Sequence, residues 1–258
     1  MSASFFPDPS FEFGGRAFGA AEVIERLTPF MDVARCERIA DVVAARTYRV
    51  VPVLERVHDL GNVNAVLRSA EGLGYGAAHL VDLQGDAADW AASLEDDAEG
   101  RADGGPVEGG MGRARRQSQG ADKWIDLRLW PDAGAACDGL RAQGYRIVAT
   151  HLAADAVPIA DVDFSVPTAL VFGNERDGIS PELLARADLN VVLPIDGFIQ
   201  SYNISVAAAL GLYHARQDRL VRLGRHGDLS AGEQEALAAR YYIRSVKAAA
   251  LILARLAG

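Results

Sequence analysis

Short apolar segments alternate with amphipathic segments along the middle of the chain. Five of these short apolar segments are typical of buried strands. They are RVVPVLERV (49–57), AAHLV (77–81), RIVAT (146–150), TALVF (168–172) and NVVLP (190–194). Because helical patterns separate them, their order predicts an α/β fold with a mainly parallel sheet and helices on both faces.

The clearest amphipathic segment predicts a helix that follows Asn62 and stops at Gly74, within the turn-forming GLGYG (72–76). Its apolar face holds Val63, Val66, Leu67, Ala70 and Leu73, and its opposite face holds Asn64, Arg68 and Glu71. Two more helices fit PDAGAACDGLRAQG (131–144) and SPELLARAD (180–188). In the second of these, Ser180 is the expected cap and Pro181 the first helical residue.

Helical extensions are predicted at both ends, over residues 1–46 and 215–258, with the α/β domain between them at 47–214. The formal net charge of −9 is spread unevenly. The segment from Asp82 to Gly112 contains nine acidic residues and one arginine. Its acidic, glycine-rich composition predicts an exposed or disordered insertion, which we place at 82–120. From His214 onward, eight basic residues outnumber four acidic ones.

Several classes of protein are excluded by length and composition. With 258 residues, half of them hydrophobic, the chain can bury a substantial core. No apolar run reaches the roughly 18 to 20 residues of a membrane span, and the first residues lack a signal-peptide pattern. We therefore expect a cytoplasmic protein without a membrane partner. Cys36 and Cys137 have no metal-binding spacing, so we expect neither a disulfide scaffold nor a metal site.

The candidate ligand site is expected at the carboxyl ends of the strands, where open parallel sheets bind their ligands. The relevant loops follow Thr150, Phe172 and Leu193. The chain contains no GxxxxGK[ST] motif, and no GxGxxG follows its first strand. A common nucleotide fold is therefore disfavoured.

Three motifs then carry a resemblance. NVNAVLRSAEGLG (62–74), LVFGNERDGIS (170–180) and LPIDGFIQSYNISVAAALGLY (193–213) resemble, in order, the motifs of the SPOUT methyltransferase superfamily, in its TrmH-like (SpoU) branch. The likeness covers about residues 46–220 and is strongest to tRNA guanosine-18 2′-O-methyltransferases. It implies the SPOUT α/β knot, with a deep C-terminal trefoil knot, S-adenosylmethionine as methyl donor, RNA as substrate and a homodimer.

The resemblance also implies which residues bind the methyl donor. Backbone groups at Thr150, Gly173, Leu193 and Tyr202 are the expected contacts, with Ile195 nearby. Gly173 and Gly197 would permit the close backbone approach that a knot requires. The alternative for residues 200–203 is that they cap the following helix, with Ser201 as N-cap.

Five catalytic residues are implied in the same way: Asn62, Arg68, Glu175, Ser201 and Asn203. Arginine almost never gives up its proton, so we expect Arg68 to hold the phosphate beside the target ribose and to stabilise the forming alkoxide. The alternative is an exposed arginine paired with Glu71. Asn62 can equally be the N-cap of its helix, and Glu175 can equally organise its own loop or lie in solvent.

RNA phosphates are expected to contact the basic residues beside the α/β domain. Arg46 and Arg49 precede the first strand, and Arg216 and Arg219 follow the third motif; the alternative is that they lie on solvated helix faces. Gln217 stands where tRNA-modifying members often carry an arginine. About 50 residues precede the first strand, which suits the helical extension of tRNA enzymes and favours guanosine-18 in the tRNA D-loop.

Two other functions stay open. They are a ribosomal RNA 2′-O-methyltransferase of the same branch and a non-catalytic RNA-binding protein that retains the fold. The segment RYYIRSVKAAALILARLAG (240–258) carries an apolar stripe that one small domain would leave uncovered. Its members are Tyr242, Val246, Ala249, Ala250 and Leu253. We expect this stripe to support a two-fold dimer.

Overall fold

The computed structural model describes residue 6 and residues 10–99, 123–174 and 176–255. These residues form two compact units. The α/β unit contains residues 47–93 and 123–226, and the helical unit contains residues 6–46, 94–99 and 227–255 as far as they are described. The two chain extensions therefore belong to one unit.

The described strands are β1 (Phe11–Phe13), β2 (Arg16–Phe18), β3 (Val50–Glu55), β4 (Ala77–Val81), β5 (Asp126–Trp130), β6 (Arg146–Thr150), β7 (Val157–Pro158), β8 (Thr168–Phe172) and β9 (Leu189–Val192). The described α-helices are α1 (Ala20–Leu27), α2 (Val33–Ala44), α3 (Leu60–Leu73), α4 (Gly85–Glu99), α5 (Ala133–Ala142), α6 (Pro181–Leu184), α7 (Ile204–Leu223), α8 (Ala231–Ser245) and α9 (Ala249–Arg255). Within these residues no helix is both long enough and apolar enough to cross a membrane.

The sheet of the α/β unit has seven strands in the order β5-β4-β3-β8-β6-β9-β7, and every neighbouring pair is parallel. All five predicted strands are confirmed. Every residue of β3, β4 and β8 is buried, as continuous apolar runs predict for central strands. The α/β fold with a mainly parallel sheet is therefore confirmed, and the trefoil knot stays a prediction.

Helix α3 agrees with the predicted segment at its carboxyl end, where Gly74 adopts a left-handed conformation with φ of 93°. At its start the structure differs from the prediction. Asp59 is the N-cap and accepts a hydrogen bond from the Gly61 N–H at 2.6 Å, so Asn62 does not cap the helix. Asn64 is also misplaced by the prediction, because it lies on the buried face and is only 1% exposed.

The acidic insertion is partly a helix. Residues 85–99 form α4, which buries Ala87 and Trp90 in spite of its acidic composition. The expectation of an exposed or disordered segment is therefore wrong for α4, and residues 100–122 lie outside the described residues. The predicted domain boundary at 214/215 falls inside α7, which continues to Leu223.

The helical unit packs α1 and α2 against α8, beside the antiparallel hairpin of β1 and β2. Its C-terminal segment bends at Ala248, where φ is 62°, and so forms two helices instead of one. The apolar stripe that we expected to form a dimer is largely buried within the chain. Tyr242, Val246, Ala249 and Leu253 are each less than one tenth exposed, so this stripe does not supply a free dimer surface.

Candidate active site

Three adjacent strands of the sheet, β8, β6 and β9, end side by side. Thr150 ends β6, and its hydroxyl donates to the Val171 carbonyl of β8 at 2.8 Å. Gly173 follows β8 and Leu193 follows β9. Since neighbouring strands are about 5 Å apart, the three predicted backbone contacts for the methyl donor lie along one short edge of the sheet.

The loop after β8 folds back tightly on itself. Asn174 and Gly178 exchange two backbone hydrogen bonds of 3.0 Å. A Cβ atom on Gly173 would lie 2.4 Å from the Gly178 carbon and from the Ile179 nitrogen, so only glycine fits there. The predicted close approach at Gly173 is confirmed as backbone packing within this loop. Glu175, a predicted catalytic residue, lies outside the described residues.

The loop after β9 leads into α7. Leu193 and Ile195 are half-buried, and the Tyr202 hydroxyl donates to the Pro194 carbonyl at 2.8 Å, which fastens the two ends of the loop together. Gly197 has no atom within 4 Å of an added Cβ, so the predicted requirement for glycine at this position is wrong. Ser201 is exposed.

Asn203, instead of Ser201, is the N-cap of α7. Its side-chain oxygen accepts hydrogen bonds from the Ser205 N–H at 2.9 Å and from the Ser205 hydroxyl at 2.5 Å. Its side-chain nitrogen donates to the Asn62 side-chain oxygen at 3.2 Å. This contact joins the first and third motifs, which are far apart in sequence, at the start of two helices.

Arg68 is exposed on α3, about 9 Å along the helix axis from Asn62. It makes no hydrogen bond or ion pair with any residue that the structure describes, and the alternative pairing with Glu71 is not formed. The guanidinium is therefore available to an external anion. A permanently charged group with five N–H donors suits a phosphate.

Two of the four arginines predicted to bind RNA are buried. Arg219 is fully buried and donates to the carbonyls of Phe164 at 3.0 Å and His226 at 3.1 Å. Arg46 is only 1% exposed. Both predictions are wrong, because a buried guanidinium cannot reach a phosphate. Arg49 is exposed and Arg216 is half-buried, so both stay candidates.

Two buried polar residues that bind the loop after β8 were not among the predicted site residues. Asn174 is 6% exposed, its side-chain nitrogen donates to the Arg56 carbonyl at 2.7 Å, and its oxygen accepts from the Arg176 N–H at 2.7 Å. Glu55 is 1% exposed and binds Ser180. A carboxyl group at the end of an apolar strand was the available signal for Glu55.

Comparison with known proteins identifies the family of the chain. The model of the SpoU rRNA Methylase family matches residues 107–213. The tRNA (guanosine(18)-2′-O)-methyltransferase of Escherichia coli K12 is 31% identical over 210 residues, which cover 80% of this chain and 81% of the relative. This chain therefore belongs to the SpoU methylase family.

Solved structures support the same assignment. The crystal structure of the A. aeolicus TrmH/SpoU tRNA modifying enzyme superimposes with a TM-score of 0.63 at 26% identity, covering 81% of this chain and 95% of that one. The SpoU methyltransferase AviRb from Streptomyces viridochromogenes, in complex with the cofactor AdoMet, superimposes with a TM-score of 0.54 at 25% identity, covering 70% of this chain and 61% of that one.

Proposed function

We propose that this protein catalyses the S-adenosylmethionine-dependent 2′-O-methylation of guanosine-18 in the D-loop of tRNA. The observation that carries the proposal is the hydrogen bond of 3.2 Å between Asn203 and Asn62, on the same helix as the exposed Arg68, in a chain of the SpoU family. A tRNA substrate also implies a cytoplasmic location.

The residues at the strand ends suit S-adenosylmethionine. The backbone at Thr150, Gly173, Leu193 and Tyr202 offers uncharged donors and acceptors, and Leu193 and Ile195 add partly buried apolar surface. These features match an adenine ring and a methionine chain. When bound, the donor supplies an electrophilic methyl group to an oxygen nucleophile.

Arg68 holds the phosphate next to the target ribose and stabilises the negative charge that develops on the 2′-oxygen. Its guanidinium stays protonated throughout, so the proton that the 2′-hydroxyl loses as its oxygen takes the methyl group passes to water and not to Arg68. Asn62 and Asn203 hold the starts of α3 and α7 together, and the N-terminus of α7 adds a positive dipole. Ser201 and Glu175 complete the catalytic set.

We propose that the functional form is a homodimer. Helix α7 presents Val206, Leu210 and Tyr213 at intervals of about one turn, and they are 46%, 43% and 55% exposed. Phe198, in the preceding loop, is fully exposed. Exposed apolar side chains at helical spacing form a stripe of the kind that marks an interaction surface between proteins. Sedimentation should show a dimer for the wild type and a monomer for Leu210→Glu; equal dimerisation of both would contradict this interface.

Phosphate contacts of the α/β unit are proposed at Arg49 and Arg216. Arg49 precedes β3 and lies about 20 Å from the carboxyl end of that strand. Arg216 lies about 20 Å along α7 from Asn203. Both would hold RNA well away from the reacting ribose, so they should contribute to affinity and not to the chemical step.

The experiment is transfer of a radiolabelled methyl group from S-adenosylmethionine to unmodified tRNA transcripts. We expect methyl transfer by the wild type and a loss of about 100-fold or more in Arg68→Ala, because the substitution removes N–H groups that stabilise the negative charge of the transition state. The affinity of Arg68→Ala for S-adenosylmethionine should be unchanged. Unchanged transfer would contradict the role of Arg68. Transfer to ribosomal RNA fragments alone would replace tRNA as the substrate, and no donor binding would indicate a non-catalytic protein.

A further inference from the structure

We propose that Glu55 is a positioning residue that holds the loop after β8 in the shape that binds the methyl donor. The inference rests on the proposed function, because it concerns the same site. Glu55 is the last residue of β3, and β3 is the direct neighbour of β8. Since Leu54 pairs with Phe172, Glu55 stands beside Gly173 in the register of the two strands.

The Glu55 carboxyl group makes two hydrogen bonds to one residue at the far end of the loop. One oxygen accepts from the Ser180 N–H at 2.8 Å, and the other accepts from the Ser180 hydroxyl at 2.5 Å. Glu55 is only 1% exposed. A buried carboxyl group destabilises a protein unless it is bonded in this way, and the rest of β3 is apolar. The strand does not need this carboxyl group, whereas the loop does.

A second contact joins the other end of the same loop, at Asn174, to Arg56, the residue that follows Glu55. Arg56 has the left-handed φ of 55°, which is uncommon for a residue other than glycine. Its carbonyl accepts the hydrogen bond of 2.7 Å from Asn174. The consecutive residues Glu55 and Arg56 therefore hold both ends of the loop.

The path from Glu55 to the donor site is short. Ser180 is followed by α6 and caps it, since the Leu183 N–H donates to the Ser180 hydroxyl at 3.2 Å. Ser180 is preceded by Gly178 and Ile179, whose backbone packs directly on Gly173. A displacement of Ser180 would therefore move the surface that supports Gly173, one of the proposed donor contacts. Glu55 acts on the donor through this packing and does not touch it.

The test measures donor affinity by titration calorimetry with S-adenosylmethionine, together with kcat and KM on tRNA. We expect Glu55→Ala to weaken donor binding about tenfold, as for the loss of a hydrogen bond to a charged group, while the KM for tRNA stays unchanged. Glu55→Gln should bind nearly as well as the wild type, because its amide oxygen can accept from the Ser180 N–H and its NH₂ can donate to the hydroxyl. If Glu55→Ala does not fold, Ser180→Ala should show a smaller loss of the same kind.

Asp188→Ala is the matched control. The Asp188 carboxylate also accepts from a backbone N–H, that of Ile147 at 2.7 Å, but this contact lies at the amino end of β6. We expect this variant to lose stability without losing donor affinity. The inference would be overturned if Glu55→Ala bound S-adenosylmethionine as tightly as the wild type. It would also be overturned if Glu55→Ala and Asp188→Ala lost equal donor affinity, or if Glu55→Gln bound the donor as weakly as Glu55→Ala. A wild type that does not bind the donor would instead contradict the proposed function.

Discussion

Acid should destabilise the α/β unit through His79, a fully buried residue of β4. Its Nδ1 accepts a hydrogen bond from the Trp130 indole N–H at 2.9 Å, and the two rings are stacked at 5.9 Å. Burial, helped by the charge of Arg128, lowers the pKa of His79 from 6.5 to about 3. The imidazole is therefore neutral in the folded protein at neutral and mildly acidic pH.

The sign of the effect follows from the direction of the shift. The unfolded chain binds the His79 proton more readily than the folded chain, so the stabilisation is complete above pH 6.5 and is lost as the pH falls toward 3. Each pH unit in this window costs about 1.4 kcal/mol. At pH 5 the folded state should therefore have lost about 2 kcal/mol relative to pH 7, a large share of a typical total of about 5 to 15 kcal/mol.

Urea unfolding followed by tryptophan fluorescence measures this effect in the α/β unit. The three tryptophans of the chain, Trp90, Trp124 and Trp130, all belong to the α/β unit. Between pH 7 and pH 5 the wild type should lose about 2 kcal/mol more than His79→Gln, whose amide oxygen can still accept from Trp130. His58→Gln, which changes an exposed histidine, should behave as the wild type. Equal pH dependence of the wild type and His79→Gln would refute the reasoning.

Two further predictions concern buried polar residues. Arg219→Ala should lower the free energy of unfolding by about 2 to 4 kcal/mol, because the carbonyls of Phe164 and His226 lose their hydrogen-bond donor. Arg216→Ala should instead weaken RNA binding with little loss of stability. Urea unfolding measures the first effect and filter binding the second, and the reverse pattern would contradict the assignment. Neither polar atom of the Asn64 side chain has a hydrogen-bond partner among the described residues, so Asn64→Ala should lower the free energy of unfolding by less than about 1 kcal/mol. Substitution of its buried neighbour, Val63→Ala, should lower it by about 2 kcal/mol. Equal losses of unfolding free energy in the two variants, measured by urea unfolding, would mean that the Asn64 side chain is hydrogen-bonded in solution.

The central strands could be predicted from the sequence because burial on both faces leaves a continuous apolar run. β5 could not, because this edge strand reads DLRLW and has half-exposed residues among its apolar ones. The acidic composition of α4 hid a helix for a related reason: composition averages over a segment, and Ala87 and Trp90 alone decide which face is buried.

The candidate site shows the same division. The polar residues of the three motifs were identified, and the contact between Asn62 and Asn203 brings two of those motifs together. Charge did not distinguish the accessible Arg49 from the buried Arg219, because one carbonyl group that binds the buried guanidinium, that of Phe164, is distant in sequence. The sequence left open whether Asn62 caps its helix, because Asn62 and Asp59, three positions earlier, are both suitable cap residues; the structure has Asp59 in that role.

The measurement that tests the account most directly is the position of the methyl group in the RNA product. A tRNA transcript that contains guanosine-18 is incubated with S-adenosylmethionine and the wild type, and the modified nucleotide is identified by mass spectrometry of nuclease fragments. We predict a single 2′-O-methylguanosine at position 18, which is absent with Arg68→Ala and absent from a transcript whose position 18 carries a 2′-deoxyribose. A methyl group on the base, or on a ribose elsewhere in the transcript, would contradict the account.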